Sequence, residues 1–244
     1  MSSGFEIINI SQNSTEIAVT TASTYKIEGK GAVKFVVADG VSVEIVDFSS
    51  ECNLEIDLGS GSYAKVVSLK YNESKNRYFV QLLGEGSDVD IYGVTVGKES
   101  ENISFVTYIK HLKSHTESGQ KIKCIGAASS STLFEGTVYI AEGTAAISAE
   151  QQNKNLLLSD SARIKSNPWL EIYADDVKCS HGSTTGMLNE EEIFYMRQRG
   201  ISLENARKLQ IESFAVDILE NIGNRELLEA AEQIIVDEIH DVVL

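Results

Sequence analysis

Proline is almost missing: Pro168 stands alone in 244 residues, against 18 glycines, so chain reversals fall to glycine and polar turns. Cysteine is sparse. Cys52, Cys124 and Cys179 are odd in number and widely spaced, which excludes a disulfide framework. No apolar run approaches the ~18 residues of a membrane span, and Met1-Ser2-Ser3-Gly4-Phe5 lacks the basic and apolar regions of a secretory signal. The expectation is a cytoplasmic protein with no membrane association. Basic residues are outnumbered, 21 against 36, giving a formal charge of −15. That excludes a surface built to neutralise nucleic-acid phosphates. The acidity is uneven: residues 184–244 carry 13 acidic and 5 basic residues, a net −8. Such a tail is a set of solvated helix faces or a docking surface for a more basic partner. No Gly-rich phosphate loop occurs, so any nucleotide chemistry belongs to a partner.

What is present up to about His181 is a series of short β segments, among them 41–46, 54–58, 64–69, 78–83, 89–96, 103–109 and 137–140. Several alternate strictly, as in Leu54-Glu55-Ile56-Asp57-Leu58. Gly59-Ser60-Gly61-Ser62 and Gly84-Glu85-Gly86-Ser87 mark turns. Strands every 10 to 15 residues with no helix between them fit a β-sandwich or a stacked β-helix. Small residues over 141–180, the Leu156-Leu157-Leu158 run and Asn153, Asn155 and Asn167, read as corner residues, favour the β-helix. After Gly186 the period becomes helical. Asn189 caps a first helix with Glu192 as its capping-box partner, and Gly200 stops it after Arg197 and Arg199. A second helix opens at Ser202, with Ile211, Phe214, Ala215 and Ile218 on one face; Gly223-Asn224 breaks it, and a third starts near Arg225. The domains read as a β-helix core, 1–183, and a helical domain, 184–244.

Cys179-x-His181 is the one close Cys/His pair. In an extended segment both side chains fall on one side and can reach one soft metal, though two ligands do not complete a site. Structurally, Cys179 reads as a small buried hydrophobe and His181 as a hydrogen-bonding residue at the solenoid end. His111 and His115 are spaced i, i+4, but lie in strand and turn. Phe194-Tyr195-Met196 is an apolar run wider than one neighbour can bury, so it caps the solenoid end or meets a partner. Asp175-Asp176 are adjacent on a strand and point apart, which is poor geometry for a β-helix lyase or hydrolase.

The stretch Pro168-Trp169-Leu170-Glu171-Ile172-Tyr173-Ala174-Asp175-Asp176-Val177-Lys178-Cys179-Ser180-His181-Gly182 resembles the signature of the SufB/SufD family. Ile193-Phe194-Tyr195, Arg197-Gln198-Arg199-Gly200-Ile201-Ser202, Phe134-Glu135-Gly136 and residues 152–158 fit the same pattern. The resemblance implies a right-handed parallel β-helix with flanking helices, acting as a non-enzymatic scaffold for iron–sulfur cluster assembly. Such scaffolds pair through their β-helices, with a SufB-like chain or with a second copy. Their C-terminal helices hold SufC, an ABC-type ATPase, whose closure strains the pair and exposes its interface, where iron and persulfide sulfur meet. It thus implies a transient Fe–S cluster or iron at the subunit interface, with Cys179 and His181 as ligands. It also assigns Phe194, Tyr195, Arg197, Arg199 and Phe214 to SufC docking or capping. SufB-type chains carry Cys near the place of Asn153 and Glu on both sides of the His181 position; here Ser180 and Gly182 flank it, so the pattern is SufD-like. Longer members begin with a helical region, and this chain begins in strands. A carbohydrate-active β-helix and a plain interaction module are the alternatives.

Overall fold

The computed structural model describes residues 4–11 and 14–243. Fourteen strands form two parallel sheets wound as one solenoid, followed by three helices. The first coil is β1 (Glu6–Ile10) and β2 (Thr15–Val19). β3 (Ser23–Val37) serves both sheets: Tyr25 to Gly29 pair with β1, and Val33 to Val37 pair with β2. The strand bends at Gly29, whose φ is +94° and where a Cβ would stand 2.7 Å from the Ile10 carbonyl oxygen, so only glycine fits. Beyond it, β4 (Ser42–Asp47), β6 (Tyr63–Tyr71), β8 (Asp88–Gly97), β10 (Glu117–Gly126), β12 (Ala145–Leu157) and β14 (Asp176–Gly186) extend sheet A. The alternate strands β5 (Glu51–Leu58), β7 (Ser74–Leu82), β9 (Asn102–His111), β11 (Ser131–Ile140) and β13 (Arg163–Ile172) extend sheet B. The molecule is a parallel β-helix.

Coil length drifts. Ser42 pairs with Tyr63, Tyr63 with Asp88, Asp88 with Glu117, Glu117 with Ser148 and Ser148 with Lys178, giving coils of 21, 25, 29, 31 and 30 residues. Asn153 and Asn155, expected at corners, instead lie inside β12 with their side chains in the lumen, and Asn167 lies inside β13. The corners use left-handed Asn72, Glu99, His115, Ala128 and Ala146 together with glycines such as Gly61 and Gly86.

The lumen changes character along the axis. The early coils are filled mostly by apolar side chains, including Ile27, Phe35, Ile45, Leu54, Ile56, Leu58 and Val66, around one buried Asp47–Lys70 pair. Each apolar side chain gains about 1.5–3 kcal/mol by leaving water. Tyr78 and Phe105 then meet edge to face at 4.9 Å. Later coils place polar side chains inward: Thr107, His111, Ser118, Gln120, Gln151, Asn153 and Asn155. His111 illustrates the consequence. Its Nδ1 lies 2.8 Å from Thr116 Oγ1 and its Nε2 lies 2.9 Å from Ser118 Oγ, and burial pushes the imidazole down to about 4. Above the unfolded histidine pKa of about 6.5, both states are neutral and the fold keeps the full contribution. As pH falls towards 4, the unfolded chain takes up a proton that the folded chain refuses. Stability attributable to His111 is therefore expected to drop by about 2 kcal/mol between pH 7 and pH 5. Urea unfolding across that range checks this, and His111→Gln should flatten the slope.

The tail helices α1 (Glu190–Gln198), α2 (Leu203–Leu219) and α3 (Arg225–Val243) follow β14. The caps match the sequence. Asn189 Oδ1 accepts from the amides of Glu191 and Glu192, Ser202 Oγ accepts from Asn205 N, and Gly200 takes φ +87°. The capping box closes by its side chains, Asn189 Nδ2 donating to Glu192 Oε1 at 3.1 Å, because the Asn189 amide is taken by Gln210 Oε1. The helices do not cover the solenoid end, where an apolar run had a capping reading. α2 and α3 lie along the flank, packing Ile211, Ala215, Ile218, Leu227, Ala231 and Ile235 on the outward-facing Val46, Val67, Leu69, Val94, Val96 and Ile125 of sheet A. Polar ties fix them. Asp217 receives Lys121 and Lys123, which hold its carboxyl down at about 2. Lys98 bridges Glu238 and Asp241, and Gly223 N donates to Glu44 Oε1.

Candidate functional site: the open last coil

β13 and β14 complete the last coil and have no neighbour on their far side among the described residues. Their surfaces stay exposed, with Trp169 at 57% and Tyr173 at 60%. The register decides which β14 residues face the lumen. Val177 pairs with Ile147, Cys179 with Ala149, His181 with Gln151, Ser183 with Asn153 and Thr185 with Asn155, and each of those β12 partners is buried inward. Side chains of paired residues share a face. Cys179 and His181 therefore point along the lumen's open end. Val177 and Cys179 pack on Val138, Ile140, Ile147 and Ala149, so the thiol is half-buried and His181 is exposed.

Burial pushes the Cys179 thiol above its ordinary value, opposed by a hydrogen bond from the Ala149 backbone. A soft or borderline metal would displace that proton on binding. Among the described residues, no group of three or more His, Cys, Asp and Glu side chains is gathered to hold a metal. Cys179 and His181 offer one thiolate and one imidazole, a set that suits iron and is by itself too few to complete a coordination shell. The remaining sulfur and imidazole groups stand elsewhere. Cys52 and Cys124 are buried in the lumen, Cys124 pushed up to about 11 by desolvation. His111 is locked between hydroxyls, and His115 sits on a left-handed corner 3.6 Å from Glu85.

The five tail residues divide. Phe194 and Tyr195 are 63% and 57% exposed on α1, and Arg199 lays its guanidinium 3.7 Å from the Tyr195 ring centroid. Arg197 is also exposed on that helix. Phe214 instead bolts α2 to sheet A: its carbonyl accepts from Lys123 Nζ at 2.8 Å, and the same ammonium lies 4.8 Å from its ring. Between α1, α2 and the end of β12 runs an apolar groove of about 540 Å3, lined by Leu156, Met187, Tyr195, Met196, Leu209 and Phe214. The polar lumen beneath the last coil was missed in the sequence. Its signal is present in Gln151-x-Asn153-x-Asn155, which puts three carboxamides on one face of a strand.

Residues 3–214 match the family model described as SUF system FeS cluster assembly, SufBD core domain. The chain belongs to the SufBD core family. Curated relatives agree. It is 35% identical to the iron–sulfur cluster assembly protein SufD of Escherichia coli over 159 residues, 65% of this chain and 36% of that protein. It is 32% identical to an iron–sulfur cluster assembly SufBD family protein of Synechocystis over 168 residues, 67% of this chain and 37% of the relative. It is 31% identical to Bacillus subtilis SufD over 141 residues, 58% and 32% of the two chains. The matched region thus covers about a third of each of these relatives. Within the SufBD core, the motif 168–182 forms the last coil, and the helix-and-turn 193–202 forms α1 and its stop.

Proposed function

We propose that this SufD-like chain is a non-enzymatic scaffold of the SUF system, acting in the cytoplasm. Its open last coil pairs with a SufB-like chain or with a second copy. An iron–sulfur cluster or its iron is held transiently at that interface as cargo, with Cys179 and His181 contributing ligands from this side. The exposed face of α1 and its groove dock the SufC ATPase. The observation that carries the reading is the direction of the open coil: its lumen face presents a thiol and an imidazole to whatever covers it. An uncovered β edge of this kind invites a partner strand. Among the described residues, no helix is long and apolar enough to cross a membrane.

The tail cannot be cut away cleanly, because α2 and α3 cover apolar residues of sheet A. Surface changes are the proper test. Phe194→Ala with Tyr195→Ala should weaken SufC binding at least ~30-fold, the scale of losing one interface hot spot, while leaving the thermal midpoint unchanged. Size exclusion with light scattering on the chain mixed with SufC from the same organism checks complex formation. Unchanged binding by the double variant would overturn the docking assignment.

A further inference from the structure

The side chain directly beneath His181 in the lumen is Gln151, and it is uncommitted. Gln151 is 1% exposed, and neither its Oε1 nor its Nε2 has a hydrogen-bond partner in the chain. A buried carboxamide left unpaired has lost its water without a replacement, so the position calls for an occupant. Three observations say where that occupant comes from.

First, the column beneath His181 becomes polar towards the open end: it runs Ile91, Gln120, Gln151, His181 through β8, β10, β12 and β14. Second, the opposite wall changes with it. Gln120 Oε1 accepts from the Thr107 hydroxyl at 2.5 Å. One coil on, Thr107 is replaced by Gly136, where a Cβ would fall 1.8 Å from Gln151 Nε2. The glycine thus makes room for the carboxamide to cross the lumen and gives it no side chain to bind. Third, the neighbouring columns are already tied to the last coil. Asn153 Oδ1 accepts from Ser183 Oγ at 3.2 Å, and Asn155 Nδ2 donates to Thr185 Oγ1 at 3.2 Å. Among the described residues, Gln151–His181 is the one lumen-facing polar pair between these two strands with no such tie.

We propose that Gln151 is a positioning residue for His181: its carboxamide binds one imidazole nitrogen, directly or through one water, and turns the other towards the open end. This rests on reading His181 as an interface ligand. A carboxamide suits the task because it donates and accepts, and so can fix either tautomer without adding charge. Histidines that ligate metals are commonly oriented by such a second hydrogen bond.

The test needs neither iron nor a partner. The full chain is labelled with 15N, and two-bond 1H–15N correlations of the imidazoles are recorded at pH 8, with His181→Ala for assignment. His181 is expected in one tautomer, unlike exposed His115. Gln151→Met should return His181 to a mixture, and Gln120→Met, one coil deeper, should leave it fixed. Gln151→Glu, which only accepts, should place the proton on the nitrogen facing position 151, and it serves if the methionine variant fails to fold. A wild-type His181 mixed like His115, or a fixed tautomer indifferent to both Gln151 variants, overturns the proposal. Either result leaves the ligand role of His181 to be judged by growth complementation, which reads cluster assembly and not tautomer.

Discussion

Replacing Lys70 with methionine is expected to cost the fold about 3–5 kcal/mol, the scale of stripping one partner from a buried ion pair. Lys70 and Asp47 have no exposed side-chain surface and meet at 2.7 Å. Their surroundings complete the pairing. Lys70 Nζ also donates to the Ser49 carbonyl at 2.9 Å and lies 3.0 Å from its hydroxyl. Asp47 accepts from Ser49 N at 2.8 Å and from the Tyr78 hydroxyl, which lies 2.8 Å from Ser68 Oγ. Burial and the Asp47 carboxylate push the Tyr78 phenol well above its ordinary value, so it stays a donor. Methionine keeps the stem volume and deletes the charge, leaving an aspartate sealed in the lumen with neutral donors only, the Ser49 amide and the neighbouring hydroxyls. For a chain of this length the loss is a fall of roughly 6–20 °C in thermal midpoint. Asp47→Asn added to Lys70→Met removes the stranded charge and still accepts from Ser49 N. The double variant should therefore be more stable than the single one. Urea unfolding of the four members of this cycle measures both terms. A single-variant loss below about 1 kcal/mol would mean that water or a shifted proton relieves the aspartate, and the network would not be holding the corner between β4 and β5.

That network also shows where the sequence was readable and where it was not. Leu54-Glu55-Ile56-Asp57-Leu58 alternates, and the structure turns Leu54, Ile56 and Leu58 inward as the alternation requires. On β6 the rule inverts. Ala64, Val66, Ser68 and Lys70 face the lumen, while Val67 and Leu69 face outward, against α2 and α3. Both faces of that strand end are buried, so the period-2 signal vanishes where a second layer covers the sheet. Lys70 then looks like a surface lysine in an apolar run, because nothing local reveals Asp47, 23 residues away. The drifting coil length hides the repeat for a related reason. Each turn need only return the strand to register, and corner loops absorb any number of extra residues. The helix caps were legible because capping is local: Asn189, Ser202 and Gly200 act on amides within a few residues. The corner role given to Asn153 and Asn155 failed because their inward direction is set by pairing with β10 and β14, which only the register displays. The site itself was visible as a motif, yet its placement at an open coil end depends on β14 being the last strand added.

Changing Cys179 and His181 together to alanine is expected to abolish growth of cells that depend on this SUF system, while leaving the chain folded. The two halves of that statement follow from the same geometry. Stability should hardly move. Cys179 is half-buried at the coil end and loses one sulfur, and His181 is exposed, tied at most to Gln151; a cost of about 1 kcal/mol is the expected ceiling for such positions. Function should move completely if the open coil supplies part of an iron or cluster coordination shell, because a site that already draws its other ligands from a partner has none to spare. The single variants separate the ligands, and each is expected to lose growth if both side chains enter the coordination shell. Complementation of a strain lacking the endogenous chain reads the outcome, with SufC binding measured in parallel. Loss of growth with SufC binding and thermal midpoint intact places the defect at the open coil and nowhere on the tail. Full complementation by the double alanine variant would leave a paired β-helix that acts by shape and edge pairing alone. The metal assignment would then pass wholly to the residues of the chain on the other side of the interface.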